Sequence, residues 1–247
     1  MDNLRKADYN RIMYLHERKN WADFTWDDRI VAPLLGEARF AQGKLLGKLE
    51  DVGFDLSREI EVNSLSAEVV ASSNIEGVQL DATKVRSSVA RRLGVDQLAG
   101  EADTRSVDGA VEVVLDAVGK RDEPLTAERL FGWHAALFPT GYSGLRKIEV
   151  AAYRTSPMEV VSGPIGHEKV HYEAPSAQDV PSLMTDFLLW FNAEADCDLL
   201  VKAGLAHLRF LSVHPFDDGN GRIARALTEM LLAQSDGSAR RFYSMAE

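Results

Sequence analysis

Apolar residues along this chain recur mostly at helical spacing, and strand-like runs are confined to one short region. Ile30, Leu34, Leu35, Ala38, Leu45, Leu46 and Leu49 predict a long helix over about 30–49. Gly36, Gly43 and Gly47 either weaken that helix or mark close helix contacts. Residues 64–76 predict a short helix stopping at Gly77. Residues 80–93 predict another, with a solvated or ion-paired basic side of Lys84, Arg86, Arg91 and Arg92. A polar loop, 94–105, leads to helices at 107–118 and 126–138, the second carrying Leu130, Trp133, His134 and Leu137 along one side. Two apolar helices close the chain, one over 199–213 and one with Ile223, Ala226, Leu227, Met230 and Leu231 on its buried face.

The middle of the sequence differs. Five of the eight prolines, Pro139, Pro157, Pro164, Pro175 and Pro181, fall between 139 and 181. There, 158–162 and 169–172 are β-prone runs on either side of Gly163-Pro164-Ile165-Gly166, which predicts a hairpin or irregular flap within 153–174. Ser176 to Asp179 reads as a capping box, followed by a stripe of Val180, Leu183, Met184, Phe187, Leu188 and Phe191. Residues 1–28 hold Tyr9, Tyr14, Trp21, Phe24 and Trp26 among charges, which fits an arm packing its rings onto the body. The expected fold class is mainly α: a helical core with one β-hairpin flap and an N-terminal helical extension. Residues 1–60 form the extension and 61–247 the core, which contains the 64–76 helix, the flap and the loop at 214–225.

Composition narrows the function. A formal charge of −10 argues against nucleic acid or an anionic membrane as the main partner, while leaving room for a local phosphate pocket. No window approaches a membrane span, and no signal-peptide pattern opens the chain. The single cysteine, Cys197, forms no internal disulfide, so a reducing, cytoplasmic setting is the simplest expectation. Flanked by Asp196 and Asp198, it is a poor thiolate and a poor nucleophile.

The chemistry concentrates in residues 214–225, His-Pro-Phe-Asp-Asp-Gly-Asn-Gly-Arg-Ile-Ala-Arg. Between two helices, this run combines a base, a carboxylate suited to a metal, a Gly-Asn-Gly turn and two arginines three apart. A helix N-terminus beside glycines presents free N–H groups to an anion, and the set suits a nucleoside triphosphate. Singly, each residue has a plainer explanation: His214 as a core histidine, Asp217 and Asp218 as a turn, Arg222 and Arg225 as surface ion-pair formers. Their joint occurrence favours chemistry. His207 lies one heptad earlier on the helix and reads as a core histidine rather than a metal ligand.

The run matches H-x-F-x-[DE]-G-N-G-R-x-x-R at every defined position and so resembles the signature of the Fic family. That resemblance implies a Mg2+-dependent protein adenylyltransferase, moving AMP from ATP to a Ser, Thr or Tyr hydroxyl of a target protein or of itself. It implies His214 as the general base, Asp218 as the Mg2+ ligand, and Gly219, Asn220 and Gly221 as the α-phosphate cradle. Arg222 and Arg225 would bind phosphates, Arg225 taking the γ-phosphate, and Phe216 would anchor the loop beneath His214. Residues 72–77, Ser-Ser-Asn-Ile-Glu-Gly, resemble the family's inhibitory pattern [ST]-x-x-x-E-[GN]. There Glu76, with Ser72 and Gly77, would pair with Arg225 and hold ATP in an unproductive pose. The hairpin at Val160, Val161, Ser162 and Gly163 resembles the flap that aligns a target by backbone pairing. Such relatives usually continue past the signature, often into a winged-helix module, whereas this sequence ends at Glu247. Removal of AMP with Glu76 orienting a water, and a non-catalytic ATP-binding regulator, are the alternatives. Phosphocholine transfer, kinase-like transfer and a metal hydrolase built on His207 and His214 fit the motif less well. A homodimer is compatible with the sequence.

Overall fold

The computed structural model describes residues 13–100, 105–162, 167 and 169–246. After a 3₁₀ turn at Leu15–Glu17 come α1 (Asp28–Glu50), α2 (Phe54–Ile75), α3 (Ala82–Arg92), α4 (Arg105–Gly119) and α5 (Ala127–Leu137). Two small antiparallel hairpins follow, β1 (Tyr142–Ser143) with β2 (Arg146–Lys147), and β3 (Glu159–Ser162) with β4 (Lys169–Glu173). Then α6 (Val180–Asn192), α7 (Leu199–Val213) and α8 (Asn220–Ser235) complete a mainly helical fold. Short polar residues start several helices: Asp81 accepts from the N–H groups of Thr83 and Lys84, and Asp198 from that of Leu200.

The core is built around α8, which packs along α7 and against α4. Ile223, Leu227 and Met230 from α8 are buried with Phe210 of α7, Phe187 of α6 and Leu130 of α5. Each such side chain contributes on the order of 1.5–3 kcal/mol when fully buried. The helical stripes read from the sequence therefore face one another, and the basic side of α3 is ion-paired, Arg86 with Glu59 and Arg92 with Asp108.

Four expectations need correction. The helix expected at 64–76 starts at Phe54, and α2 runs unbroken through residue 60. Its hidden first half buries polar groups: Ser57 and Glu61 meet Arg240, and further along Glu68 accepts from Ser244 Oγ and the Met245 and Ala246 N–H groups. An apolar period cannot report a stripe made of serines and glutamates. The α1 glycines mark no close contact, because a Cβ at Gly36, Gly43 or Gly47 would meet open space. No α1 residue is buried, and the helix is held by polar ties, chiefly Arg39 to Asp198 and to Ser235 Oγ. The capping box at 176–179 does not form. Ser176 closes a turn by accepting the Asp179 N–H on its carbonyl, and α6 opens at Val180 with Pro181 in its first turn, where a missing N–H costs nothing. Finally, β1–β2 is a second hairpin, its two-residue strands too short to produce an alternation.

In the N-terminal arm, Tyr14 packs edge-on against Tyr172 and Trp21 lies against the core, but Trp26 is exposed and donates to Asp28. Tyr9 and Gly163 lie outside the described residues.

Candidate active site

α7 ends where His214 turns into the left-handed region, φ 50° and ψ 60°, its N–H still donating to the Phe210 carbonyl. That conformation is uncommon for a residue with a side chain, and Pro215 prevents the helix from continuing. α8 opens after Gly219, also left-handed at φ 79°, where a Cβ would lie 2.8 Å from the Phe138 ring. Glycine meets both constraints.

The turn between these helices is fixed from within and from beneath. Asn220 clamps Phe216 at both ends, accepting its N–H at 3.0 Å and donating to its carbonyl at 2.8 Å. Both ends of the Asn220 amide are thus engaged, so its contribution to an anion cradle is confined to its backbone. The Phe216 ring is fully buried and stacks on His134, centroids 4.3 Å apart and planes 14° from parallel. The Ala151 N–H donates to His134 Nδ1, which therefore carries no proton, so Nε2–H donates to the Asp218 carbonyl at 3.2 Å. Burial pushes His134 down to about 4, against the pull of that carbonyl and the nearby Asp218 and Asp217 carboxylates, so it stays neutral. Asp217 faces the other way, accepting from the Glu149 N–H, while its carbonyl accepts from Arg146.

Half-buried His214 places Nδ1 3.3 Å from the Leu211 carbonyl. A carbonyl only accepts, so Nδ1 carries the hydrogen and Nε2 is the basic nitrogen. Burial holds the imidazole below its ordinary range and the Arg154 cation acts in the same direction, opposed by the Leu211 carbonyl, Asp218 and Glu76. A neutral imidazole near pH 7 is the form a general base needs.

Asp218 uses Oδ1 to accept the Gly219 N–H at 2.6 Å, and Ser143 Oγ donates to its Oδ2. Arg222 lies with its guanidinium 4.9 Å from the centre of the Phe138 ring, and its buried Nε has no partner among the described residues. Both residues line a cavity of about 300 Å³ together with Glu76, Leu80, Phe138 and Ser143. An unsatisfied buried guanidinium N–H can take an anion, and the carboxylate beside it could hold a cation.

Glu76 reaches this site because of how α2 ends. Gly77 at φ 73° gives its N–H to the Asn74 carbonyl and Val78 gives its own to Ser73, a left-handed helix stop that leaves Glu76 as the cap residue directly after α2. The glycine stop and the ion pair are two results of one short segment. Arg225 donates from Nε to Ser72 Oγ at 2.8 Å, and from Nη2 to the Ser72 carbonyl at 2.9 Å and Glu76 Oε1 at 2.6 Å. A Cβ on Gly221 would overlap the Glu76 carboxylate. A side-chain anion therefore sits against the first turn of α8, where a phosphate would be attracted.

The structure thus brings Ser72, Glu76, Gly77, Asp218, Gly219, Asn220, Gly221, Arg222 and Arg225 together with His214 at one end of the α7–α8 pair. The hairpin stands apart in character: Val160, Val161 and Ser162 are exposed, and β3 pairs only with β4 among the described residues. His207 is half-buried rather than core, with Nδ1 3.2 Å from Thr228 Oγ1. No group of three or more His, Cys, Asp or Glu suited to a metal occurs among the described residues. Burial and the flanking aspartates raise the Cys197 thiol. Sequence reasoning missed Ser143, which holds Asp218, and Arg154, which donates to the His214 carbonyl at 2.8 Å. It placed His134 on a helix face without seeing its role. No periodic signal marks Ser143 or Arg154.

The Fic/DOC family matches residues 124–232, and a Domain of unknown function (DUF4172) matches residues 14–95. The Protein adenylyltransferase Fic of Aedes aegypti is 26% identical over 194 residues, 77% of this chain but 36% of that protein. The Protein adenylyltransferase fic-1 of Caenorhabditis elegans is 37% identical over 62 residues, 24% of this chain and 12% of that protein. The chain therefore spans about a third or less of the length of these relatives. Among solved structures, a Fic family protein from Desulfovibrio desulfuricans G20 is similar with a TM-score of 0.58 at 25% identity, covering 85% of this chain and 59% of that one. A Fic domain containing signaling protein from Bacteroides thetaiotaomicron VPI-5482, at 23% identity and a TM-score of 0.55, covers 80% and 72% and shares the fold.

Proposed function

Since the chain belongs to the Fic family, we propose that it is an autoinhibited protein adenylyltransferase, transferring AMP from ATP to a hydroxyl side chain of a protein. The single observation that carries the reading is the Glu76 carboxylate, 2.6 Å from Arg225 and pressed against Gly221, beside the cavity lined by Asp218 and Arg222. A protein carboxylate occupying a phosphate's place, in front of an oriented histidine, is the arrangement a restrained phosphoryl-transfer site requires.

In this reading His214 Nε2 takes the proton of the acceptor hydroxyl. The hydroxyl oxygen attacks the α-phosphorus, the bond from that phosphorus to the bridging oxygen of the β-phosphate breaks, and pyrophosphate leaves. The free N–H groups of the first α8 turn and Arg222 stabilise charge on the transferring phosphate. Arg225, once released by Glu76, binds the γ-phosphate. Asp218 is the residue that would hold Mg2+, and Ser143 adds a second oxygen beside it. One carboxylate with phosphate and water oxygens is an ordinary environment for that ion, which supplies charge neutralisation on the polyphosphate. Incubation with ATP labelled at the α-phosphate tests the reading: protein-bound label is expected in the wild type and none in His214→Ala. Label lost from a pre-modified protein, without any gain on the unmodified one, would favour AMP removal instead.

A further inference from the structure

Arg154 is 1% exposed, yet no carboxylate pairs with it among the described residues. A buried guanidinium is costly unless its donors are met, and here carbonyl oxygens meet them. Nε donates to His214 at 2.8 Å, Nη1 to Ser156 at 3.0 Å, and Nη2 to Pro175 at 2.6 Å and more weakly to Val213 at 3.4 Å. Its own N–H donates to the Pro215 carbonyl at 2.9 Å.

These acceptors fall into two sets. Val213, His214 and Pro215 are the end of α7 and the turn that carries the imidazole, where helix carbonyls lack intrahelical partners and a cation suits the dipole. Ser156 and Pro175 are the two feet of the β3–β4 hairpin, one before β3 and one after β4. One planar fork therefore joins the hairpin to the catalytic turn. Tyr172 within β4 adds a second tie, its hydroxyl donating to the Ser212 carbonyl in the last turn of α7 at 2.6 Å.

We propose that Arg154 is a positioning residue for AMP transfer, clamping the feet of the target-docking hairpin to the turn bearing His214 so that an acceptor hydroxyl and its base keep a fixed separation. The inference rests on the adenylyltransferase reading above, with the hairpin as docking element. Displacement of about 1 Å in such a geometry costs on the order of 10²-fold in rate. A lysine keeps the charge but cannot reach two sets of carbonyls in one plane.

The test uses Arg154→Lys, Arg154→Gln and Tyr172→Phe, each combined with Glu76→Gly, and follows self-labelling from ATP per folded molecule, ATP affinity and pH dependence. The groups facing His214 are Arg154, the Leu211 carbonyl, Asp218 and Glu76, the last absent throughout this series. Arg154→Lys is expected to lose on the order of 10²-fold in labelling at unchanged ATP affinity, with the acidic limb of the pH profile in place. Arg154→Gln should lose as much and move that limb to higher pH, because the cation that disfavours the imidazolium is gone. Lower thermal stability with unchanged labelling per folded molecule and an unmoved limb would overturn the proposal. Should neither Arg154 variant fold, Tyr172→Phe decides: a threefold to tenfold loss, about the worth of one net hydrogen bond, supports the clamp, and unchanged labelling sinks it. If the Glu76→Gly parent transfers no AMP at all, the enzyme reading fails by itself. An NMR titration of the His214 ring then judges Arg154 alone: an upward shift in Arg154→Gln supports the coupling, and no shift refutes it.

Discussion

Freeing Arg225 from α2 should raise the proposed AMP transfer in graded steps, because three hydrogen bonds of unequal strength hold that guanidinium. The strongest is the charge-assisted contact to Glu76 Oε1 at 2.6 Å, and the others go to Ser72 Oγ at 2.8 Å and the Ser72 carbonyl at 2.9 Å. Bonds to charged groups contribute about 1.5–3 kcal/mol. The Glu76 side chain is 32% exposed and that of Arg225 13%, so solvent screening favours the lower half of that range. At about 1.4 kcal/mol per factor of ten, Glu76→Gly should raise productive ATP binding and self-labelling roughly 10- to 40-fold. Ser72→Ala removes one neutral acceptor and leaves the carbonyl, for about 2- to 10-fold. Glu76→Gln, keeping the shape without the charge, should fall between them. The double variant should yield less than the product, since both side chains act through the same guanidinium. Initial rates with α-labelled ATP and Mg2+, normalised to folded protein, give the order directly. A larger effect from Ser72→Ala than from Glu76→Gly, or slower labelling in Glu76→Gly, would refute the argument that the carboxylate is the restraint.

Three further outcomes follow from the same geometry. Gly219→Ala combines a left-handed φ of 79° with a Cβ 2.8 Å from Phe138, so thermal melting should show a loss of about 2–4 kcal/mol together with loss of ATP binding. His134 is neutral in the fold with its pKa pushed down to about 4, below the ordinary histidine value. The unfolded chain therefore binds the extra proton first, and stability present above about pH 6.5 is lost as pH falls toward 4, by up to about 3 kcal/mol; His134→Phe should flatten that part of a urea-melt pH series. Arg241 is buried against Glu229 at 2.7 Å and also bonds Asp236, so Arg241→Met should cost about 3–5 kcal/mol in urea unfolding by leaving Glu229 without its cation. Adding Glu229→Gln should recover part of the loss.

The parts of this molecule legible in its sequence are those built from apolar period and from the signature. Ile223, Ala226, Leu227, Met230 and Leu231 are buried on α8, and Val180, Met184, Phe187 and Phe191 on α6, because a helix against a core leaves a 3.6-residue trace. The Glu76–Arg225 pair was legible because both residues lie in spaced motifs, although they are far apart along the chain. What escaped has no such trace. The first half of α2 buries serines and glutamates, which look like surface. Arg154 acts from an irregular segment and Ser143 from a two-residue strand, and tertiary packing places both. The capping box at Ser176 was displaced by Pro181, whose fixed φ suits a helix first turn and reset the boundary. The α1 helix was legible as a helix, but its partners were not, since polar ties from Arg39 hold it rather than an apolar stripe.

The central claim is that a carboxylate from α2 restrains a site in which His214 activates an alcohol toward ATP. Intact-mass measurement after incubation with ATP and Mg2+ tests it most directly, run on wild type, Glu76→Gly and His214→Ala together. The account predicts a small adduct of one AMP on the wild type, a much larger one on Glu76→Gly, and none on His214→Ala. Equal adducts in all three, or none in Glu76→Gly, would contradict it.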